Sequence, residues 1–148
     1  MTATGSVVLV ATTFAEIPSI VGPLVCAGAP LAAAGAVPNG GDLPGIPLTL
    51  RAGAGDDLIL DWGASCLSTD TDYAVYEGTL GSFTSHVPAV CTTGGSTTVT
   101  LTPATESRYY VVVPTNGVAE GSHGRDSNGI ERVPESITCL PLNAGGCP

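Results

Sequence analysis

The sequence predicts an all-β protein, a two-sheet β-sandwich of seven short strands behind an extended N-terminal arm, and three observations carry that prediction. Apolar runs of strand length between residues 57 and 122 are rich in Val, Leu, Thr and Tyr and alternate with more polar positions. Gly, Pro, Ser and Asp separate those runs at the spacing of a sandwich's turns. At 148 residues the chain has room for one sandwich-sized domain of about 100 residues and an appendage, enough to bury a genuine core. The domain is expected over residues 43–134, the arm over 1–42 and a Cys-containing tail over 135–148.

The strands follow in order. Residues 46–51, IPLTLR, form the first, and 52–56 a Gly-rich turn. Leu58, Leu60 and Trp62 alternate with Ile59 and Asp61, which turns the large Trp62 into a core and Asp61 to solvent. A loop at 63–70 holds Cys66. Residues 72–78 alternate again, with Tyr73, Val75 and Glu77 opposite Ala74 and Tyr76. Residues 83–91 make a weaker strand closed by Cys91, and 92–96 a Gly-containing turn. The two strongest strands are 97–102 and 108–114, linked by a Pro-Ala-Thr corner. A loop fills 116–129, and 130–133 is a short last strand.

The first 42 residues have a separate character: no Arg or Lys, only Glu16 and Asp42 as acids, and Pro at 18, 23, 30 and 38. A secretory signal wants a basic segment before its apolar run, and a membrane span wants about 20 apolar residues uninterrupted by acid and proline. Neither pattern fits, and a lipoprotein box around Cys26 fails because Val25 stands where a small residue belongs. What remains is a β-branched run at 6–14, able to form one strand, followed by a Pro/Ala/Gly stretch unsuited to helix or sheet. That run is apolar on both faces: Val7, Leu9 and Ala11 alternate with Val8, Val10 and Phe14, and it lacks the charge or proline that protects a solvated edge strand. Its simplest satisfied state is burial in a sheet, either its own domain's or that of the next subunit.

Charge narrows the partners. Four Arg, no Lys and thirteen acids give a net −9, a surface that repels phosphate backbones and anionic headgroups and so disfavours nucleic acid and electrostatic membrane attachment. The charged fraction of 11% is well below the globular norm of about 25%, a make-up suited to work outside the cell or in ordered assemblies. The five cysteines, Cys26, Cys66, Cys91, Cys139 and Cys147, show no CxxC spacing. They read as disulfides in an oxidising compartment rather than as a zinc site, with one thiol left over, free or paired to another chain.

The order LxLxW (58–62), YxVYEG (73–78), TxTLTPxT (98–105), VVVPTN (111–116) and EGS (120–122) resembles the B, C, E, F and G region of a fibronectin type III domain, an immunoglobulin-like β-sandwich. The resemblance implies that Trp62 anchors the core from strand B, with Leu101 and with Tyr109 or Tyr110 as the corner tyrosine. The tail GSHGRDSNGIER, with Cys66 and Cys91, is similar to disulfide-bearing modules of this type in large bacterial extracellular proteins. It covers residues 46–132 and speaks to fold far more than to function. Two features depart from it: the spacing from Thr105 to Tyr109 is longer than the usual corner, and the arm matches nothing in the family. Cys66 and Cys91 bracket strand C and its neighbour and are expected to pair, closing a loop worth roughly 3 kcal/mol on the chain-entropy model. Cys26 is expected to pair with Cys139 or Cys147.

Candidate chemistry is sparse. His86 and His123 are the only histidines; each follows a serine, Ser85 or Ser122, but no GxSxG elbow or other catalytic signature accompanies them. Glu77 and Glu120 read as a strand-end and a solvated loop carboxylate rather than as a glycosidase pair. Calcium is the best chemical alternative, from oxygen ligands on the late loop at Asp126, Asn128 and Glu131, and secondarily from Asp70 and Asp72. The competing reading is that these side chains cap turns. A sugar platform is poorly supplied, because the sole Trp is patterned for the core. The expectation is a non-enzymatic extracellular structural protein without a resident cofactor, calcium apart. It assembles with other copies of itself through strand addition by Val7, Val8, Leu9, Val10 and Phe14, and it neither binds nucleic acid nor inserts in a membrane. The alternative is a carbohydrate- or protein-binding accessory module.

Overall fold

In the computed structural model, which describes residues 30–148, six strands occur among those residues and no helix: β1 Thr49–Ala52, β2 Leu58–Asp61, β3 Asp72–Thr79, β4 Val87–Val90, β5 Thr98–Leu101 and β6 Arg108–Thr115. They form two antiparallel three-stranded sheets, ordered β1-β2-β5 and β4-β3-β6. β3 and β6 pair without interruption from Asp72↔Thr115 to Thr79↔Arg108, whereas the β3–β4 register shifts between Val75 and Tyr76. No described helix is long and apolar enough to cross a membrane.

The expected seventh strand at 130–133 is not formed. The Asp126 carboxylate accepts the N–H groups of both Asn128 and Ile130, which curls the segment into a turn, and only an isolated Arg125↔Glu131 bridge remains. Ile130 and Val133 stay exposed. The strand expected from residue 83 begins only at Val87, since turn hydrogen bonds from Ser82 to Thr79 and from Ser85 to Ser82 occupy the preceding backbone. The arm run at 6–14, with Val7, Val8, Leu9, Val10 and Phe14, lies outside the described residues.

One core cluster joins the sheets: Leu60 and Trp62 from the first meet Tyr73, Val75 and Val112 from the second. Trp62 stands edge-on to Tyr73 at 5.6 Å between centroids, and Asp61 turns outward to Arg51 at 2.8 Å, as the alternation predicts. Alternation also predicts that β3 and β6 are half-buried, but both faces are covered. Ala74, Tyr76, Val111 and Val113 pack a second cluster with Tyr109 and Cys139. Each large apolar side chain removed from water there contributes about 1.5–3 kcal/mol.

The covering layer is built from residues 31–36 and the tail, expected to lie outside the domain, together with the 119–123 loop, expected within it. Ala34 is fully buried; its N–H donates to the Asn143 carbonyl and its carbonyl accepts from Gly145. Glu120 in turn hydrogen-bonds Pro141 and Asn143 through its backbone. A Cβ at Gly121 would overlap the Gly35 carbonyl, so glycine is needed where these segments cross. Residues Leu31–Pro148 thus form one unit, including residues 31–42 and the tail.

The disulfides differ from expectation. Cys66 joins Cys147 and Cys91 joins Cys139, with Cα separations of 5.5 and 5.4 Å; Cys66 and Cys91 are not paired. Cys66 sits in a loop held against Ala36, its N–H on the Ala36 carbonyl, while Cys91 continues edge strand β4, so each meets a different part of the tail. Cys139 and Cys147, the expected partners of Cys26, are thereby engaged, and Cys26 lies outside the described residues. The loops span 81 and 48 residues and each closure stabilises the fold by roughly 4 kcal/mol on the chain-entropy model. A non-reducing digest should yield the linked peptides 66–147 and 91–139; a 66–91 peptide would overturn this connectivity.

Candidate functional site

Between β3–β6 and the covering layer runs a chain of buried polar side chains. Tyr76 projects from β3, Tyr109 from β6, His86 from the turn ahead of β4, and Glu120 and His123 from the covering layer. Tyr76, His86 and Glu120 are 0% exposed and His123 1%. Gly78, opposite Tyr109 in the ladder, makes room for it, since a Cβ at that position would overlap the Tyr109 ring.

The hydrogen bonds form a continuous series. Tyr109 Oη lies 2.9 Å from His86 Nδ1, His86 Nε2 3.0 Å from His123 Nδ1, and His123 Nε2 2.9 Å from Glu120 Oε1. The Tyr76 hydroxyl donates to Glu120 Oε2 at 2.8 Å and accepts the Cys139 N–H at 2.9 Å. Leu140 N–H adds a bond to Glu120 Oε2 at 3.3 Å. A carboxylate only accepts, so His123 donates from Nε2 and, as a neutral imidazole, accepts at Nδ1. His86 then donates from Nε2 and accepts the Tyr109 hydroxyl at Nδ1. Two neutral imidazoles satisfy every link in one direction.

Burial, reinforced by the neighbouring His123, pushes the His86 imidazole down to about 4. Burial raises both the Tyr76 and Tyr109 hydroxyls. The ring stack tightens the cluster, with Tyr76 edge-on to His123 at 4.7 Å and Phe83 capping Tyr109 at 5.3 Å.

The expectation of Glu120 as a solvated loop carboxylate is overturned: it is the anion on which the covering layer closes. Glu77 stands apart, beside Arg108 and the Tyr110 hydroxyl. Neither serine engages its neighbouring histidine. Ser122 Oγ donates to Glu131, and Ser85 Oγ donates to the Ser82 carbonyl. The only local signal of the cluster in the sequence is the Glu-Gly-Ser-His spacing at 120–123; nothing local links it to His86 or Tyr76.

The calcium sets are not brought together. Asp126 caps its own turn, while Glu131 turns away to Ser122 Oγ and to the His123 N–H at 2.6 Å, and Asn128 bonds only Asp126. Asp70 accepts from Gly35 N–H at 2.9 Å and Ser65 Oγ at 2.5 Å. Asp72 works elsewhere: burial alone would raise its carboxyl, but Thr92 and the N–H groups of Gly95, Tyr73 and Thr93 hold it at about 2. Among the described residues no three His, Cys, Asp or Glu side chains are grouped to hold a metal ion.

An open groove of about 910 Å³ adjoins the cluster at His123 and is lined by residues 110–112 of β6, by Val37, Leu43 and Pro47 from the segment before β1, by loop residues between 122 and 132, and by residues 144–147 of the tail. No family model matches this chain, and no curated protein matches it either.

Proposed function

We propose that this chain is a non-enzymatic extracellular structural module, a subunit of a self-assembling filament or cell-surface array joined by strand addition. The observation that carries the reading is the run at 6–14, apolar on both faces and free of charge and proline. Such a run is stable only when paired in a sheet, and pairing with a neighbour gives a head-to-tail contact that propagates when its rotation does not close. Two disulfides suit an oxidising compartment outside the cytoplasm. Burial of the histidine chain leaves its groups to hold the covering layer in place rather than to meet a substrate.

The module is read as immunoglobulin-like, close to fibronectin type III. Lettering β1, β2, β3, β4, β5 and β6 as A, B, C, C′, E and F makes the strand orders A-B-E and C′-C-F, the two-sheet arrangement of that architecture without its last strand.

Electron microscopy of the oxidised full chain tests the reading. Polymers are expected, and Val8→Asp with Val10→Asp should give soluble monomers with unchanged melting temperature. A wild-type chain that remains monomeric, with a sugar or peptide ordered in its loops, would replace this reading with the carbohydrate- or protein-binding accessory module.

A further inference from the structure

The acceptor for the added strand can be located from backbone pairing. The Leu80 N–H donates to the Ser107 carbonyl, which sets the phase of the β3–β6 ladder: residues 109, 111, 113 and 115 of β6 turn their backbone groups toward β3, and Arg108, Tyr110, Val112 and Pro114 turn theirs outward. On the outward side the Pro114 carbonyl accepts from Gly121 N–H, and Thr115 bridges Glu120. The returning chain then leaves the edge, because Ser122 N–H goes to the Gly35 carbonyl. No described backbone group pairs with the outward side of Tyr110 or Val112. Val112 is only 7% exposed, and unpaired backbone at that depth is costly.

The other sheet edges are protected. β1 and β5 are four residues long, and β1 carries Arg51 outside. β4 is equally short, contains Pro88, and sits beside the register shift. β6 is eight residues long, carries Val111, Val112 and Val113, and borders the groove of about 910 Å³ on the side away from β3. Its free outward edge from 108 to 112 extends about 16 Å, room for about five residues of the run 6–14.

We propose that the outward edge of β6 is the acceptor and that the groove beside it takes residues 6–14 of a second copy, which pair with Tyr110 and Val112 and supply the missing last strand of the sheet. This rests on the strand-addition reading above and deepens it by naming the joint. The intervening stretch 15–29 reaches up to about 50 Å at full extension, enough to span to a neighbouring unit.

The test uses the full chain with a photoreactive benzoylphenylalanine at Leu43, a groove residue on a loop, in a mixture of isotopically labelled and unlabelled chains. Cross-links from position 43 to residues 6–14 of the differently labelled chain are expected. Cross-links confined to the same chain would overturn the second copy as occupant. Polymers cross-linked elsewhere would overturn the groove while leaving the filament reading intact, and failure to polymerise would remove both. A second variant carries N-methylvaline at position 112, which keeps the buried Val112 side chain and replaces the outward N–H with a methyl group that blocks an added strand. Folded monomers with both disulfides are expected, and undiminished polymerisation would overturn the inference.

Discussion

Replacing Glu120 with alanine should lower the stability of the oxidised chain by about 3–5 kcal/mol, because it strips the acceptor from buried donors and each one left unsatisfied costs about 1–3 kcal/mol. Three donors converge on this carboxylate: His123 Nε2, the Tyr76 hydroxyl and the Leu140 N–H. None has an alternative in a site where Tyr76 and His123 are 0% and 1% exposed. Two disulfides hold the covering layer over it at Cys139 and Cys147. Tyr109→Phe is the graded control, since it removes only the terminal donor of the series and should cost about 1 kcal/mol. Urea unfolding read by Trp62 fluorescence measures both. A Glu120→Ala midpoint close to wild type would show that Glu120 does not anchor the layer.

The contrast between these two variants reflects what the sequence makes legible. Strand identity is local: alternation at 58–62 places Leu60 and Trp62 inward and Asp61 outward, and the structure agrees. The 72–78 expectation falls within one residue of β3. Burial of the second face of β3 and β6 is not local. It depends on the tail and on residues 31–36, whose Pro/Ala/Gly composition carries no periodicity that could be assigned to a face. Glu120 looks like a loop residue because it is flanked by Gly121 and Ala119. Only the fold brings Tyr76, 44 positions away, over it. The cysteine pairing differs for the same reason: their place on either side of strand C and its neighbour favours Cys66 with Cys91, whereas each instead secures the tail, which lies outside the expected domain. The last expected strand was lost to one side chain, the Asp126 carboxylate, whose bonds to Asn128 and Ile130 outweigh a short β-branched pattern with no partner strand.

Acidification should destabilise the chain between pH 6.5 and 4 through His86. In the unfolded chain this imidazole takes its proton near 6.5, whereas in the folded chain burial, with His123 facing it, holds it at about 4. Between those values the unfolded state binds the extra proton, so stability is fully present above 6.5 and falls as the pH is lowered toward 4, by roughly 3 kcal/mol in all. The hydrogen-bond series gives the structural reason. A protonated His86 carries N–H on both nitrogens, and the Tyr109 hydroxyl must reverse to accept one of them. The charge then rests in a pocket whose carboxylate, Glu120, is a histidine away. The Arg132 charge also opposes the protonation. Asp72 acts in a different window, because its carboxyl is held at about 2 and its contribution is lost only as the pH falls below its ordinary value near 3.8. Urea midpoints at half-unit steps from pH 7 to 4.5 should therefore decline progressively in the wild type. In His86→Gln, destabilised throughout by the broken series, they should run nearly flat. A flat wild-type profile over that range, or an unaltered slope in His86→Gln, would remove His86 as the group responsible.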